Sequence, residues 1–134
     1  MHRLRSLSPV VVILISLCLS ARSGVMAQEA EPAPVFPAPG RVTVVDIGSE
    51  KCLPCQLMAK MMTELGAAYQ GQAAFIFIDV WKHREVMDEC GIDRMPTQIF
   101  YDQEGEEVFR HEGFMTKKAI VEKLEKLGID KIAP

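Results

Sequence analysis

The 134-residue chain has little histidine, little cysteine and no excess of positive charge. Its three histidines are scattered and its four cysteines contain one closely spaced pair, so the matched ligand sets of a zinc site are missing. Acidic residues outnumber basic ones by 18 to 15, which disfavours nucleic acid and anionic membrane surfaces as partners. We therefore expect no metal, no other cofactor and no nucleic-acid partner.

The first 27 residues have the pattern of a secretory signal peptide, with a basic start at Arg3 and Arg5, an apolar core and small residues before the exit. The apolar core is too short to span a bilayer comfortably. We expect cleavage after Ala27, which discards Cys18 and makes the remaining chain more acidic. The prediction is a periplasmic or otherwise extracytoplasmic protein, tethered to a membrane only if this segment is retained.

Residues 28–40 are rich in proline and alanine and predict an extended linker to a domain over residues 41–134. An apolar run at 41–47 predicts a buried strand, and apolar positions at helical spacing predict a helix over 53–69. The remaining pattern predicts, in order, a strand at 73–80, a short helix at 83–89, hairpin strands at 98–101 and 106–111, and a final helix capped by Thr116. Strand, helix and strand in this order imply a parallel pair.

Cys52 and Cys55 stand where the first strand pattern gives way to the first helix pattern. The unpaired N–H groups and the positive dipole at a helix N-terminus stabilise an anion, so this position favours the Cys52 thiolate. Cys55 follows one helical turn later, within bonding reach, and Pro54 is tolerated in the first turn. The pair predicts a reversible dithiol/disulfide.

Two other uses of this pair stay open. One is a structural disulfide in a redox-inert binding module. The other is a copper(I) metallochaperone that also uses the methionines of the helix, although core packing is the plainer explanation of those methionines. Cys90 is left unpaired after cleavage. His83 lies in a charged run and is expected to be solvated rather than a ligand.

Three features together resemble the thioredoxin family over residues 41–128. These are the Cys52-Leu53-Pro54-Cys55 motif at a helix start, Asp46 six residues before Cys52, and Met95-Pro96-Thr97 just before a strand. The resemblance implies an α/β, thioredoxin-like fold, in which a central mixed sheet of parallel strands and a C-terminal antiparallel hairpin is flanked by helices.

The same resemblance implies roles for single residues. Cys52 matches the nucleophile that attacks a substrate disulfide, and Cys55 matches the resolving cysteine. Asp46 matches a buried acid whose raised pKa suits it to take the Cys55 proton. Pro96 matches a cis-proline facing the dithiol, and the backbone of Met95 would pair with an extended substrate peptide.

The sequence departs from the family at several positions near this site. Gly48 and Lys51 stand where aromatic residues are common, and Phe77 stands where many members have a lysine near the buried acid. We expect a monomeric thiol–disulfide oxidoreductase that acts as a reductant on protein disulfides or thiols outside the cytoplasm. A membrane electron-relay protein would be its electron donor.

Overall fold

A computed structural model describes residues 32–130. The predicted signal peptide, with Cys18, and the first residues of the predicted linker lie outside the described residues, as do residues 131–134. No helix in the described part of the chain is long and apolar enough to cross a bilayer. The elements are β1 (Val42–Gly48), α1 (Leu53–Ala68), β2 (Ala73–Asp79), α2 (Glu85–Glu89), β3 (Thr97–Tyr101), β4 (Glu107–Glu112) and α3 (Lys117–Lys126).

The four strands form one mixed sheet in the order β2-β1-β3-β4. β1 pairs in parallel with β2 and antiparallel with β3, and β3 continues into β4 as an antiparallel hairpin. Every residue of β1 is buried because the strand has a neighbour on each side and helices pack over the sheet. The predicted α/β fold with a mixed central sheet is confirmed.

One face of the sheet is covered by α1 and α3. Helix α1 begins after Cys52, which is its N-cap, and buries Met58, Met62 and Leu65. Helix α3 begins after Thr116, whose hydroxyl accepts a hydrogen bond from the backbone N–H of Ala119 at 3.3 Å. Both helices contribute to one apolar core with Val42, Val44, Tyr69, Phe100, Ile120 and Leu124. The methionines of α1 therefore serve core packing.

The opposite face of the sheet packs against α2 and against part of the predicted linker. Ala33 and Phe36 contact the apolar core on this face, and the rings of Phe36 and Tyr101 lie 6.2 Å apart. The backbone N–H of Ala38 also donates to the Thr43 hydroxyl at 3.0 Å. This segment therefore covers the sheet, instead of extending away from it as the proline-rich composition predicts.

His83 and Cys90, which have no functional role in the sequence interpretation, lie just before and just after α2. The prediction that His83 is solvated is wrong, because His83 is only 9 % exposed, and its backbone N–H donates to the carbonyl of Asp79 at 3.0 Å. Cys90 is a half-buried free cysteine, and burial raises the pKa of its thiol. Cys90 lies on this face of the sheet, opposite the one that α1 covers.

The end of β1 approaches α1 very closely at Gly48. A methyl group at this position would lie 2.9 Å from the Cβ atom of Cys55 and 3.2 Å from the ring of Phe77. By contrast, a methyl group at Gly66 within α1 would meet only the Cβ atom of Phe75, at an ordinary 3.6 Å. The absence of a side chain at Gly48 is therefore what lets α1 lie against the end of β1.

These two glycines should respond in opposite ways to alanine. We expect Gly48→Ala to lower the free energy of unfolding by about 1–3 kcal/mol, because it overpacks a buried contact. Gly66→Ala should leave stability unchanged or raise it by up to about 1 kcal/mol, since alanine is the better helix former. Urea denaturation of both variants measures the difference. Equal stability of the Gly48→Ala protein and the wild type would contradict the contact.

Candidate active site

The Cys52–Cys55 pair forms a disulfide at the N-terminus of α1. The Cα atoms of the two residues are 5.2 Å apart, within the range that a disulfide requires. Cys52 has extended backbone angles as the N-cap residue, and its sulfur accepts a hydrogen bond from the backbone N–H of Cys55 at 3.4 Å. The first turn of α1 contains no acidic residue, so no carboxylate offsets the positive end of the helix there.

The two sulfurs differ in access. Cys52 is partly exposed and is followed by Leu53, which is 68 % exposed. Cys55 is fully buried beneath it and lies against Gly48. An incoming group therefore reaches Cys52 first, while Cys55 faces the interior of the domain.

Asp46 lies on the same face of β1 as Gly48, because side chains alternate along a strand, and the two Cα atoms are roughly 7 Å apart. Its side chain is fully buried. On the neighbouring strands its register partners are Phe77 on β2 and Gln98 on β3. Burial raises the pKa of Asp46 to about 7, against the opposing effect of its hydrogen bond from Gln98. This carboxyl group can exchange a proton near neutral pH.

Gln98 is a site residue that the sequence interpretation missed. Its Nε2 group donates to the Oδ1 atom of Asp46 at 2.8 Å, and both side chains are fully buried. The Oδ2 atom of Asp46 and the Oε1 atom of Gln98 are buried without a hydrogen-bond partner among the described residues. Gln98 and Phe100 are two residues apart in a strand, so their side chains lie on the same face, and Phe100 belongs to the core. This spacing was the sequence signal that a polar residue at position 98 would face the core.

Met95 and Pro96 precede β3 and are joined by a cis peptide bond. Thr97, the next residue, pairs with Ile47 near the end of β1. The antiparallel register therefore brings the start of β3 to the edge of the sheet where β1 leads into the dithiol loop. Pro96 is buried there, and Met95 is 38 % exposed.

An exposed tryptophan also lies beside the dithiol loop. Trp81 follows β2, and the Nζ atom of Lys51 lies 4.4 Å from the centre of its ring, in cation–π contact. The backbone N–H of Val80 donates to the carbonyl of Gly48 at 3.0 Å, which fastens this turn to the end of β1. Trp81 is 59 % exposed, so the surface next to Cys52 carries an aromatic side chain.

Met58 and Met62 give little support to a copper site, because both side chains are buried in the core beneath α1. Within residues 32–130, no three His, Cys, Asp or Glu side chains lie close enough together to hold a metal ion. The site consists of a disulfide, a buried carboxyl group and the amide that contacts it.

Known proteins share both the sequence pattern and the fold. The sequence profile of the family described as Thioredoxin matches residues 36–126. Thioredoxins from several strains of Staphylococcus aureus, including Mu50 and MW2, are 31 % identical over 85 residues. These alignments cover 63 % of this chain and 81 % of each relative.

Solved structures show the same architecture. The germline-specific thioredoxin Deadhead from Drosophila melanogaster is 25 % identical and superposes with a TM-score of 0.58, covering 66 % of this chain and 82 % of its own. A structure titled as a malarial protein is 17 % identical with a TM-score of 0.59 and shows the fold alone, covering 64 % of this chain and 96 % of its own. This chain therefore belongs to the thioredoxin family, and its Cys52–Cys55 pair is consistent with a thiol–disulfide oxidoreductase.

Proposed function

We propose that this protein reduces disulfides in proteins outside the cytoplasm. The observation that supports it most directly is the order of three groups from the surface of the domain to its interior. Cys52 is accessible, Cys55 is buried beneath it, and Asp46 with a pKa of about 7 lies on the face of β1 that Cys55 contacts. A nucleophile, a resolving thiol and a base are therefore arranged from the surface inward.

In the first step the Cys52 thiolate attacks one sulfur of a substrate disulfide. A mixed disulfide forms between Cys52 and the substrate, and the second substrate sulfur leaves as a thiolate. The positive end of the helix dipole at the N-terminus of α1 stabilises the attacking anion. No acidic residue in the first turn of α1 offsets this effect.

In the second step Asp46 accepts the proton of the Cys55 thiol. The Cys55 thiolate then attacks the Cys52 sulfur, forming the Cys52–Cys55 disulfide and releasing the second substrate thiolate. Two electrons have passed to the substrate, and the protein is left oxidised, the state seen in this structure. A base that ionises near neutrality speeds this release.

Return to the dithiol requires two electrons and two protons from a donor. We propose a membrane electron-relay protein for this role, because export would separate the protein from cytoplasmic reductants. The protein would act as a monomer, with one dithiol meeting donor and substrate in turn.

The surface around Cys52 is suited to an extended, partly apolar polypeptide. Leu53, Leu57, Trp81 and Met95 are all substantially exposed for apolar side chains. Met95 precedes the start of β3, where the backbone of a substrate segment could add to the sheet edge. Protein substrates are therefore favoured over small disulfides.

Export itself rests on the pattern of residues 1–27, which lie outside the described residues. Sequencing the N-terminus of the protein isolated from its native cell tests it. A chain that begins at Gln28 is expected, and a retained Met1 in the soluble fraction would contradict export.

The exchange mechanism predicts a trapped intermediate. In Cys55→Ser the second step is impossible, so reduced protein mixed with insulin should accumulate a mixed disulfide through Cys52. Non-reducing electrophoresis and mass spectrometry measure this product. Cys52→Ser keeps the thiols of Cys55 and Cys90 but should trap roughly tenfold less, because Cys55 is fully buried and Cys90 is half-buried.

The same experiment tests the substrate surface. Adding Trp81→Ala to the Cys55→Ser protein should slow the trapping of insulin while leaving the reaction with glutathione disulfide unchanged. Equal slowing with both reagents would contradict a binding role for Trp81, and efficient trapping by Cys52→Ser would contradict the assignment of the nucleophile.

Asp46→Asn should lose the base and gain stability. Wild-type turnover should rise as the pH passes through about 7, where Asp46 ionises, and the variant should lack this rise and be slower at pH 8 by roughly a hundredfold. Stopped-flow reduction of insulin between pH 5 and 9 measures the profile. An unchanged profile would contradict the base.

Asp46→Asn should raise stability, although it lowers activity. Burial raises the pKa of Asp46 from 3.8 in the unfolded chain to about 7 in the folded protein. The protonated side chain therefore contributes stability that is fully present below the unfolded pKa and is lost as the pH rises through the folded pKa. At pH 8 Asp46→Asn should therefore raise the free energy of unfolding, by up to about 4 kcal/mol. Urea denaturation at pH 5 and pH 8 separates this effect from a general loss of structure.

A further inference from the structure

Gln98 lies in β3, a strand with β1 on one side and β4 on the other. It is fully buried, and its neighbour on the same face of β3 is Phe100, part of the core beneath α1. Its Oε1 atom has no hydrogen-bond partner among the described residues. Burying an amide oxygen in this way is unfavourable, so packing alone does not account for glutamine here.

The contact that offsets this cost is the one with Asp46. The two residues are register partners on β1 and β3, and the Gln98 Nε2 group donates to Asp46 Oδ1 at 2.8 Å. Because Oδ1 is occupied, Oδ2 is the oxygen that remains to receive a proton. The amide thus fixes the orientation of the carboxyl group as well as contacting it.

Among the residues that the structure describes, no charged group is bonded to the Asp46 carboxyl group in place of Gln98. On α1 the residue that lies against this face of β1 is Cys55, which approaches Gly48. On β2 the nearest acid of the same face is Asp79, whose carboxylate accepts from the backbone N–H of Trp81 at 2.9 Å. On β4 the register partner of Gln98 is His111, whose ring lies 3.4 Å from the carbonyl of Phe114. The polar group bonded to the Asp46 carboxyl is Gln98.

We propose that Gln98 is a positioning residue that sets the proton affinity of Asp46 and directs its Oδ2 atom to the Cys55 proton. This inference rests on the exchange mechanism proposed above. When Cys55 S–H gives its proton to Oδ2, the Cys55 sulfur attacks Cys52, and the bond from Cys52 to the substrate sulfur breaks. Gln98 exchanges no proton and touches no substrate. It favours the ionised carboxyl group that accepts the proton.

The first test is the ionisation of Asp46 in the oxidised full-length protein, which needs no substrate. Gln98→Met keeps the length of the side chain and removes its N–H donor. Carbon-13 NMR of the Asp46 carboxyl group should show its midpoint rise by about one pH unit, the effect expected for loss of a hydrogen bond to a charged group. In the wild type, the Gln98 side-chain N–H signals should titrate with the same midpoint as Asp46.

The second test is the pH profile of insulin reduction. A midpoint raised by one unit makes Gln98→Met about fivefold slower than wild type at pH 7 and nearly equal at pH 9. Ile99→Val is the matched control, since Ile99 is the next residue of β3 and is buried on the opposite face. It should leave both the midpoint and the profile unchanged. In an Asp46→Asn background, Gln98→Met should cause no further pH-dependent loss.

Three results would overturn the proposal. They are an Asp46 midpoint unchanged by Gln98→Met, a rate loss of equal size at every pH, and Gln98 N–H signals that do not titrate with Asp46. The last is measured on the wild type and stands even if the variant fails to fold. If the wild type itself reduced no disulfide, the proposed function would fail while the NMR result on Asp46 and Gln98 could still be read.

Discussion

The burial of one carboxyl group, on the face of β1 that Cys55 contacts, is the constraint on which the site depends. Asp46 belongs to β1, the strand whose residues are all buried and which is paired on both sides. None of its side chain is exposed to solvent. Desolvation therefore raises its pKa toward neutrality, and the sheet holds it there. The ionised form is costly for folding, yet it is the form that can accept a proton.

The helix that follows this strand places its two cysteine sulfurs at different depths. Because Gly48 has no side chain, α1 approaches β1 closely enough to bury Cys55 on the face that carries Asp46. The same helix leaves Cys52 partly exposed at its N-terminus. One element therefore separates a partly exposed sulfur from a fully buried one, and a single helical turn sets the distance between them.

Local pattern predicted most of this fold, because strands, helices and caps are encoded by residues close together in the sequence. The helix start at Cys52, the Thr116 cap and the buried run around Asp46 are of this kind. Contacts between distant residues were not predictable in the same way. Gln98 lies 52 residues from Asp46, and its role depends on the order and register of β1 and β3. Phe36 covers the sheet although its proline-rich surroundings predict a linker.

The departures from the family pattern near the dithiol are connected physically. Gly48 has no side chain, and the ring of Phe77 lies close to the space that this leaves. A methyl group placed at Gly48 would be 3.2 Å from that ring. A phenylalanine at that position supplies no positive charge to Asp46, its register partner. The hydrogen bond that lowers the pKa of Asp46 must then come from the other neighbouring strand, where Gln98 provides it. Phe77 and Gln98 thus affect the buried acid from its two sides: the ring on β2 brings no charge to it, and the amide on β3 limits the rise of its pKa that burial causes.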